Sequence, residues 1–124
     1  MTEEEINLIR YYVGKTIFNQ KNPKKSMAFF QREGIDKNSY FSSLMIRYYG
    51  ALKNDEKVEE YYLKMMEDPS SVKPSKAFTL VINSFKNMKK YDEALKAYQI
   101  LENLNVKKGL KNIKNKIKKK KNIK

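Results

Sequence analysis

The sequence predicts an all-α protein, an α-α superhelix or solenoid of about three helix-turn-helix repeats with a basic C-terminal tail. Three observations carry this expectation. Apolar residues recur at i, i+3, i+4 and i+7, the period of one helix face. The pattern is cut into short segments by clusters of Asn, Gly, Pro and Lys, the residues that end helices. It also recurs at a spacing of 37 residues, from Ile9 to Ile46 and from Phe41 to Phe78. A period of that size with two helices per unit is the mark of stacked helical hairpins.

The first helix is expected over residues 3–18. Thr2 and Glu5 form a capping box, and Glu3, Glu4 and Glu5 favour the positive end of the helix dipole. Ile6, Ile9, Val13 and Ile17 fall on one face, widened by Leu8 and Tyr12, and this face is expected to be buried, with Gly14 a weak point. Residues 19–23 form a turn. Pro23 suits a first helical position, where a missing N–H costs nothing. A second helix carries Ser26, Phe29 and Phe30 on one face as far as about Arg32, and Gly34 supplies a left-handed end.

Asn38 or Ser39 caps the next helix, whose stripe is Phe41, Leu44, Met45, Tyr48 and Tyr49. Residues 50–54 break it. Asp55 and Glu56 open a helix with the same spacing at Val58, Tyr61, Tyr62, Met65 and Met66, and Pro69 closes it. The third pair starts at Pro74-Ser75 with a stripe of Phe78, Val81, Ile82 and Phe85. After a turn over residues 87–91, Asp92 is the expected cap of a last helix that buries Ala94, Ala97, Tyr98 and Leu101. Two alanines one turn apart let a neighbouring helix approach closely.

The repeat is written in the residues. Ile9-Arg10-Tyr11-Tyr12 returns as Ile46-Arg47-Tyr48-Tyr49, and Phe41-x-x-Leu44-Met45 returns as Phe78-x-x-Val81-Ile82. The second helices align less regularly, with Ser26, Val58 and Ala94 at the small-residue position. The units span about residues 2–38, 39–75 and 76–108, followed by a Lys-rich tail at 109–124, either disordered or a basic helix.

The third unit resembles a pentatricopeptide repeat. It has an aromatic followed by a small polar residue (Phe78-Thr79), two aliphatics (Val81-Ile82) and Phe85 one turn on. Asp92-Glu93-Ala94-Leu95 then opens the second helix, followed by Tyr98 and Leu101. The second unit matches in its first helix and closing Pro74, but has Val58 in place of Ala. The first has Glu4 where the aromatic belongs, and Lys89 stands where the inter-helix turn usually has Gly. A tetratricopeptide unit is the second resemblance, sharing Ala94-x-x-x-Tyr98 but lacking the signature of its first helix.

Pentatricopeptide proteins bind single-stranded RNA, one base per repeat. The resemblance therefore implies base contacts at Ser42 and Thr79 and at the unit ends Asn38 and Ser75. As small residues at helix starts, these four also suit capping. Arg10, Arg47 and Lys86 on first helices are candidate phosphate contacts or a solvated face. The implied role is a non-catalytic subunit of an organellar ribonucleoprotein, such as a mitochondrial ribosome or RNA-processing complex, with single-stranded RNA or rRNA and other protein subunits as partners. The alternative is a protein-protein scaffold of tetratricopeptide type. The organelle follows from the resemblance alone, for the acidic start Glu3-Glu4-Glu5 lacks the basic character of a transit peptide; otherwise the chain is expected to be cytoplasmic.

Charge sharpens this. The net charge is +13, but residues 107–124 hold ten Lys and no acid, leaving 17 basic against 14 acidic residues, a net +3, in residues 1–106. Lys111, Lys114, Lys118, Lys119, Lys120 and Lys121 are therefore the best candidates for sequence-blind phosphate contacts. Leu110, Ile113 and Ile117 fall at i, i+3 and i+7, so the tail reads either as a basic amphipathic helix or as a composition bias. A membrane surface is a weaker reading, since the tail has no aromatic residue.

With no Cys and no His, disulfides, Cys/His zinc sites, thiol nucleophiles and His bases are excluded. Glu59-Glu60 and Asp92-Glu93 are adjacent pairs that do not face each other on a helix. The four Gly form no phosphate loop. No enzyme, cofactor, metal or small-molecule substrate is therefore expected. No run of roughly 18 apolar residues exists, so no membrane insertion is expected.

Overall fold

Six α-helices make up the described part of the computed structural model: α1 (Glu3–Asn19), α2 (Pro23–Arg32), α3 (Ser42–Ala51), α4 (Asp55–Glu67), α5 (Ser75–Asn87) and α6 (Tyr91–Lys121). The backbone is described for residues 1–121 and the side chains for residues 1–108. Two 3₁₀ turns, Ile35–Lys37 and Ser39–Phe41, join α2 to α3. The chain is all-helical among the described residues, and none of these helices is long and apolar enough to cross a membrane.

Short polar side chains set the helix starts. Thr2 Oγ1 accepts from the Glu5 N–H at 3.1 Å, Asn22 Oδ1 from Lys25 N–H at 3.1 Å and Asn54 Oδ1 from Lys57 N–H at 3.2 Å. Pro23 occupies the first turn of α2 as expected. The last helix departs from expectation: α6 begins at Tyr91, so Asp92 sits inside its first turn, where its charge meets the helix dipole, and not at the cap.

The three hairpin turns share one device. Lys21, Lys53 and Lys89 each adopt a left-handed backbone, with φ of 59°, 58° and 60°. At the end of α3, Asn54 N–H donates to Tyr49 O at 3.0 Å and Lys53 N–H to Gly50 O at 3.1 Å. At the end of α5, Lys90 N–H donates to Phe85 O at 2.8 Å and Lys89 N–H to Lys86 O at 3.0 Å. These are paired Schellman bonds, which satisfy carbonyls the helix leaves open and normally favour Gly. Gly itself takes this conformation after α2, where Gly34 has φ 68°.

Packing follows chain order. α1 lies against α2 and α3, α3 against α4 and α5, α4 against α5, and α5 against α6. The core centres on α3 and the turn before it, where Phe41, Leu44, Met45 and Ile46 are fully buried, joined by Phe30, Ile35, Val58, Met65, Phe78 and Val81. The buried Tyr11 and Tyr61 keep the ring inside and bond the hydroxyl at the margin. Tyr11 OH shares a hydrogen bond with Ser43 Oγ at 3.1 Å, and Tyr61 OH donates to the Asp36 carbonyl at 3.1 Å. Burial, with the neighbouring Tyr49 adding to it, pushes the Tyr61 hydroxyl up to about 12.

Glycine marks the closest approaches. A methyl group on Gly14 would lie 3.0 Å from Leu44 Cδ1, and one on Gly50 would lie 3.4 Å from Leu80 Cδ1. Gly14 is thus the point where α3 reaches α1, and not merely a weak spot in a helix. Both contacts shift together by 36 residues, Gly14 to Gly50 and Leu44 to Leu80.

The terminal helices differ from expectation. On α1 the buried residues are Tyr11 and Gly14, while Ile6, Leu8, Ile9, Tyr12 and Val13 are exposed and Ile17 is only partly covered. On α6, Ala94 and Ala97 are buried as expected, but Tyr98 is 52% exposed and Leu101 partly covered. The reason is shared: among the described residues α1 packs mainly against α2 and α3 and α6 mainly against α5, and the apolar faces turned away from these neighbours stay open.

Candidate nucleic-acid interface

The residues expected to contact RNA fall into two groups. At the junction of the first and second units they are already engaged. Asn38 Oδ1 accepts from Tyr40 N–H at 3.1 Å and so caps the 3₁₀ turn before α3. Ser42 is 1% exposed, and its hydroxyl donates to Ser39 O at 2.7 Å. The neighbouring Ser39 hydroxyl donates to Asp68 Oδ2, tying the start of this unit to the end of α4. Asp68 also accepts from Ser70 N–H at 2.9 Å. The hydrogen bonds from Ser39 and then Ser70 hold the Asp68 carboxyl below the usual carboxylate range, with Lys73 adding to them.

At the junction of the second and third units, on α5, the candidates remain on the surface. Ser75 and Thr79 are both exposed on α5, and Thr79 Oγ1 donates to Ser75 O at 3.2 Å. Lys86 lies on the same face at i+7 from Thr79 and is exposed. Asn83, one turn beyond Thr79, completes an exposed polar stripe of Ser75, Thr79, Asn83 and Lys86. Asn83 was not singled out from the sequence, although its i+4 spacing from Thr79 was the available signal.

Arg10 and Arg47 serve the packing between hairpins. The Arg10 guanidinium lies 5.1 Å from the Phe41 ring centre and donates to Asn7 Oδ1 at 3.2 Å. Arg47 lies 5.2 Å from the Phe18 ring and donates to Asn19 Oδ1 at 3.4 Å. Each arginine thus stacks on a phenylalanine of the adjoining hairpin, a contact worth about 0.5–1 kcal/mol at a partly exposed site.

Arg47 also lines a cavity of about 420 Å³ with Phe18, Pro23, Ser26, Tyr48 and Leu52, between the first hairpin turn and the end of α3. The buried Ser26 hydroxyl there has no partner among the described residues. The recess therefore sets the Arg47 guanidinium beside apolar walls, with the Ser26 hydroxyl buried beneath them. Lys90 acts across hairpins as well, with Nζ 2.8 Å from Glu59 Oε1 and 2.9 Å from Oε2, which raises the Lys90 pKa.

The lysine-rich segment continues α6, which runs without interruption from Tyr91 across the expected limit at Lys108 to Lys121. The side chains of Lys111, Lys114, Lys118, Lys119, Lys120 and Lys121 lie outside the described residues. Among the described residues no cluster of three or more His, Cys, Asp or Glu could hold a metal ion. Comparison with protein-family models, curated proteins and solved structures returns no match.

Proposed function

We propose that the chain is a non-catalytic, RNA-associated helical-repeat protein: a stack of about three helical hairpins of pentatricopeptide type. In this reading it presents RNA with a lysine-bearing helix and serves as a subunit of a larger ribonucleoprotein. The observation that carries this reading is the continuity of α6. The backbone from Lys107 to Lys121 extends a helix rooted in the core by Ala94 and Ala97, a rod about 20 Å long at 1.5 Å per residue. Lys107, Lys111, Lys114, Lys118 and Lys121 recur at i, i+4, i+7, i+11 and i+14, the period of that helix. Such an array recognises phosphates without regard to sequence.

The stack is supported by the 36-residue recurrence of the Gly14–Leu44 and Gly50–Leu80 contacts and by the pairing of α1 with α3 and of α3 with α5. An organellar setting rests on the pentatricopeptide resemblance. Base reading in this proposal belongs to Ser75, Thr79, Asn83 and Lys86, which are exposed on α5, since Ser42 is buried and Asn38 Oδ1 caps the turn before α3.

The test is a titration of single-stranded RNA of random sequence with the full chain over a salt series. The expected log-log slope is about −0.7 per phosphate neutralised. Replacing Lys111, Lys114, Lys118 and Lys121 by Gln is expected to flatten the slope and weaken binding whatever the RNA sequence. Absence of binding by the full chain at low salt contradicts the proposal. A protein-binding scaffold of tetratricopeptide type is the second reading. It is favoured by the use of Arg10 and Arg47 in packing and by the exposed apolar faces of the outer helices.

A further inference from the structure

The two ends of the helix stack are complementary to each other. At one end, α1 exposes Ile6, Ile9, Tyr12 and Val13, and its first turn carries Glu3, Glu4 and Glu5, all exposed. At the other, α6 exposes Tyr91, Leu95 and Tyr98 on one face. A shallow groove of about 290 Å³ follows, lined by Tyr98, Leu101, Glu102, Asn105 and Val106. Beyond that groove come the exposed Lys107 and Lys108 and a stretch with no acidic residue. One end is apolar with an acidic margin, and the other is apolar with a basic margin.

We infer that a second copy of this chain docks α1 on the exposed face of α6, giving head-to-tail association. The inference rests on the stacked-hairpin part of the proposed function and is independent of RNA. Helices joined by short connections run antiparallel. A partner's α1 that follows α6 as α5 follows α4 therefore runs antiparallel to it. With Val13 opposite Leu95, equal rise places Ile9 beside Tyr98, Ile6 over the groove at Glu102, and Glu3 opposite Asn105, within one turn of Lys108. Val13 and Ile9 then meet Leu95 and Tyr98, Ile6 lies on the stem of Glu102, and Glu3 comes within one turn of Lys108. The central hairpin offers an internal precedent, since Ile46, the counterpart of Ile9, is fully buried.

Because the two docking faces differ, the contact is heterologous and leaves one free end of each kind. That property supplies the test. Sedimentation velocity of the full chain without RNA is expected to reveal species that grow with concentration and shrink as salt screens the charged margin. Ile9→Asp and Tyr98→Asp alter exposed residues, so circular dichroism should be unchanged. Each variant alone is expected to be monomeric, with its dissociation constant raised at least about tenfold. Mixed, they should form a one-to-one pair and nothing larger, because the first keeps an intact α6 face and the second an intact α1 face. Replacing Glu3, Glu4 and Glu5 by Gln should weaken association and remove most of its salt dependence. A monomer at every concentration, association that survives Ile9→Asp, or no pair in the mixture would overturn the inference. A monomer that still binds RNA would leave the proposed function standing.

Discussion

Ile9-Arg10-Tyr11-Tyr12 and Ile46-Arg47-Tyr48-Tyr49 are the same tetrapeptide on two helices, and the fold treats them differently. The inward tyrosines agree: Tyr11 and Tyr48 are both buried. The arginines agree as well, each lying over a phenylalanine ring. The isoleucines do not. Ile46 on α3 is fully buried between hairpins, while Ile9 on α1 is 51% exposed. A sequence stripe records which faces are apolar, but the number of neighbours decides which of those faces is covered. The central helix has neighbours on both sides and the outer ones do not.

The comparison is open to attack at several sites, beginning with the largest expected effect. Phe41→Ala and Phe78→Ala should each cost about 3–5 kcal/mol in urea denaturation, because both rings are fully buried. Tyr98→Ala on the outer face of α6 should stay within about 0.5 kcal/mol of the unaltered chain. Equal losses at the three sites would mean that the outer face is covered within a single chain.

Next in size are the glycines. Gly→Ala inside a helix ordinarily gains up to about 1 kcal/mol. Gly50→Ala should realise much of that gain, since the new methyl meets Leu80 at a tolerable 3.4 Å. Gly14→Ala should gain nothing or lose stability, because its methyl would press on Leu44 at 3.0 Å with Phe30 behind it at 3.4 Å. Thermal midpoints of the two variants check this.

The hairpin turns come third. Lys53→Gly and Lys89→Gly relieve a left-handed backbone that costs a side-chain-bearing residue about 1 kcal/mol. Each should raise the denaturation midpoint slightly, by the same amount in the central and the last hairpin.

The smallest effects are read through pH. The Asp68 pKa is lowered, so its contribution is complete above the ordinary aspartate range and is lost as pH falls through its own lower value. Asp68→Asn should therefore flatten the acid limb of the stability profile. The Tyr61 pKa is raised, so its contribution is complete below the ordinary tyrosine range and is lost as pH rises toward about 12. Ultraviolet titration should find Tyr61 among the last tyrosines to ionise, and Tyr61→Phe should soften the alkaline limb.

Much of the helix layout was legible because local chemistry writes it. Asn22-Pro23, Asp68-Pro69 and Pro74-Ser75 mark boundaries whatever surrounds them, and the stripes on α3, α4 and α5 lie where their spacing puts them. Legibility failed where a result depends on distant chain. Nothing near Ile9 or Tyr98 says that the neighbouring position is empty, and nothing near Gly14 says that Leu44 will arrive there. The lysines at the hairpin turns were hidden for another reason, since a left-handed turn is expected to hold Gly and here holds a residue that pays for it in strain. Among the candidate RNA contacts, Ser42 and Asn38 are residue types equally suited to a cap and to a base edge, and only the geometry separates the two uses. Thr79 and Ser75 lie on the exposed face of α5.

Urea denaturation of Ile9→Ala beside Ile46→Ala tests the account most directly. The same substitution is made in the same tetrapeptide, so chemistry and local propensity cancel. The expected loss is about 2–5 kcal/mol for Ile46→Ala and under about 1 kcal/mol for Ile9→Ala at a dilution where the chain is monomeric. Equal losses would contradict the distinction between a covered centre and open ends on which the proposed stack and its head-to-tail pairing both depend.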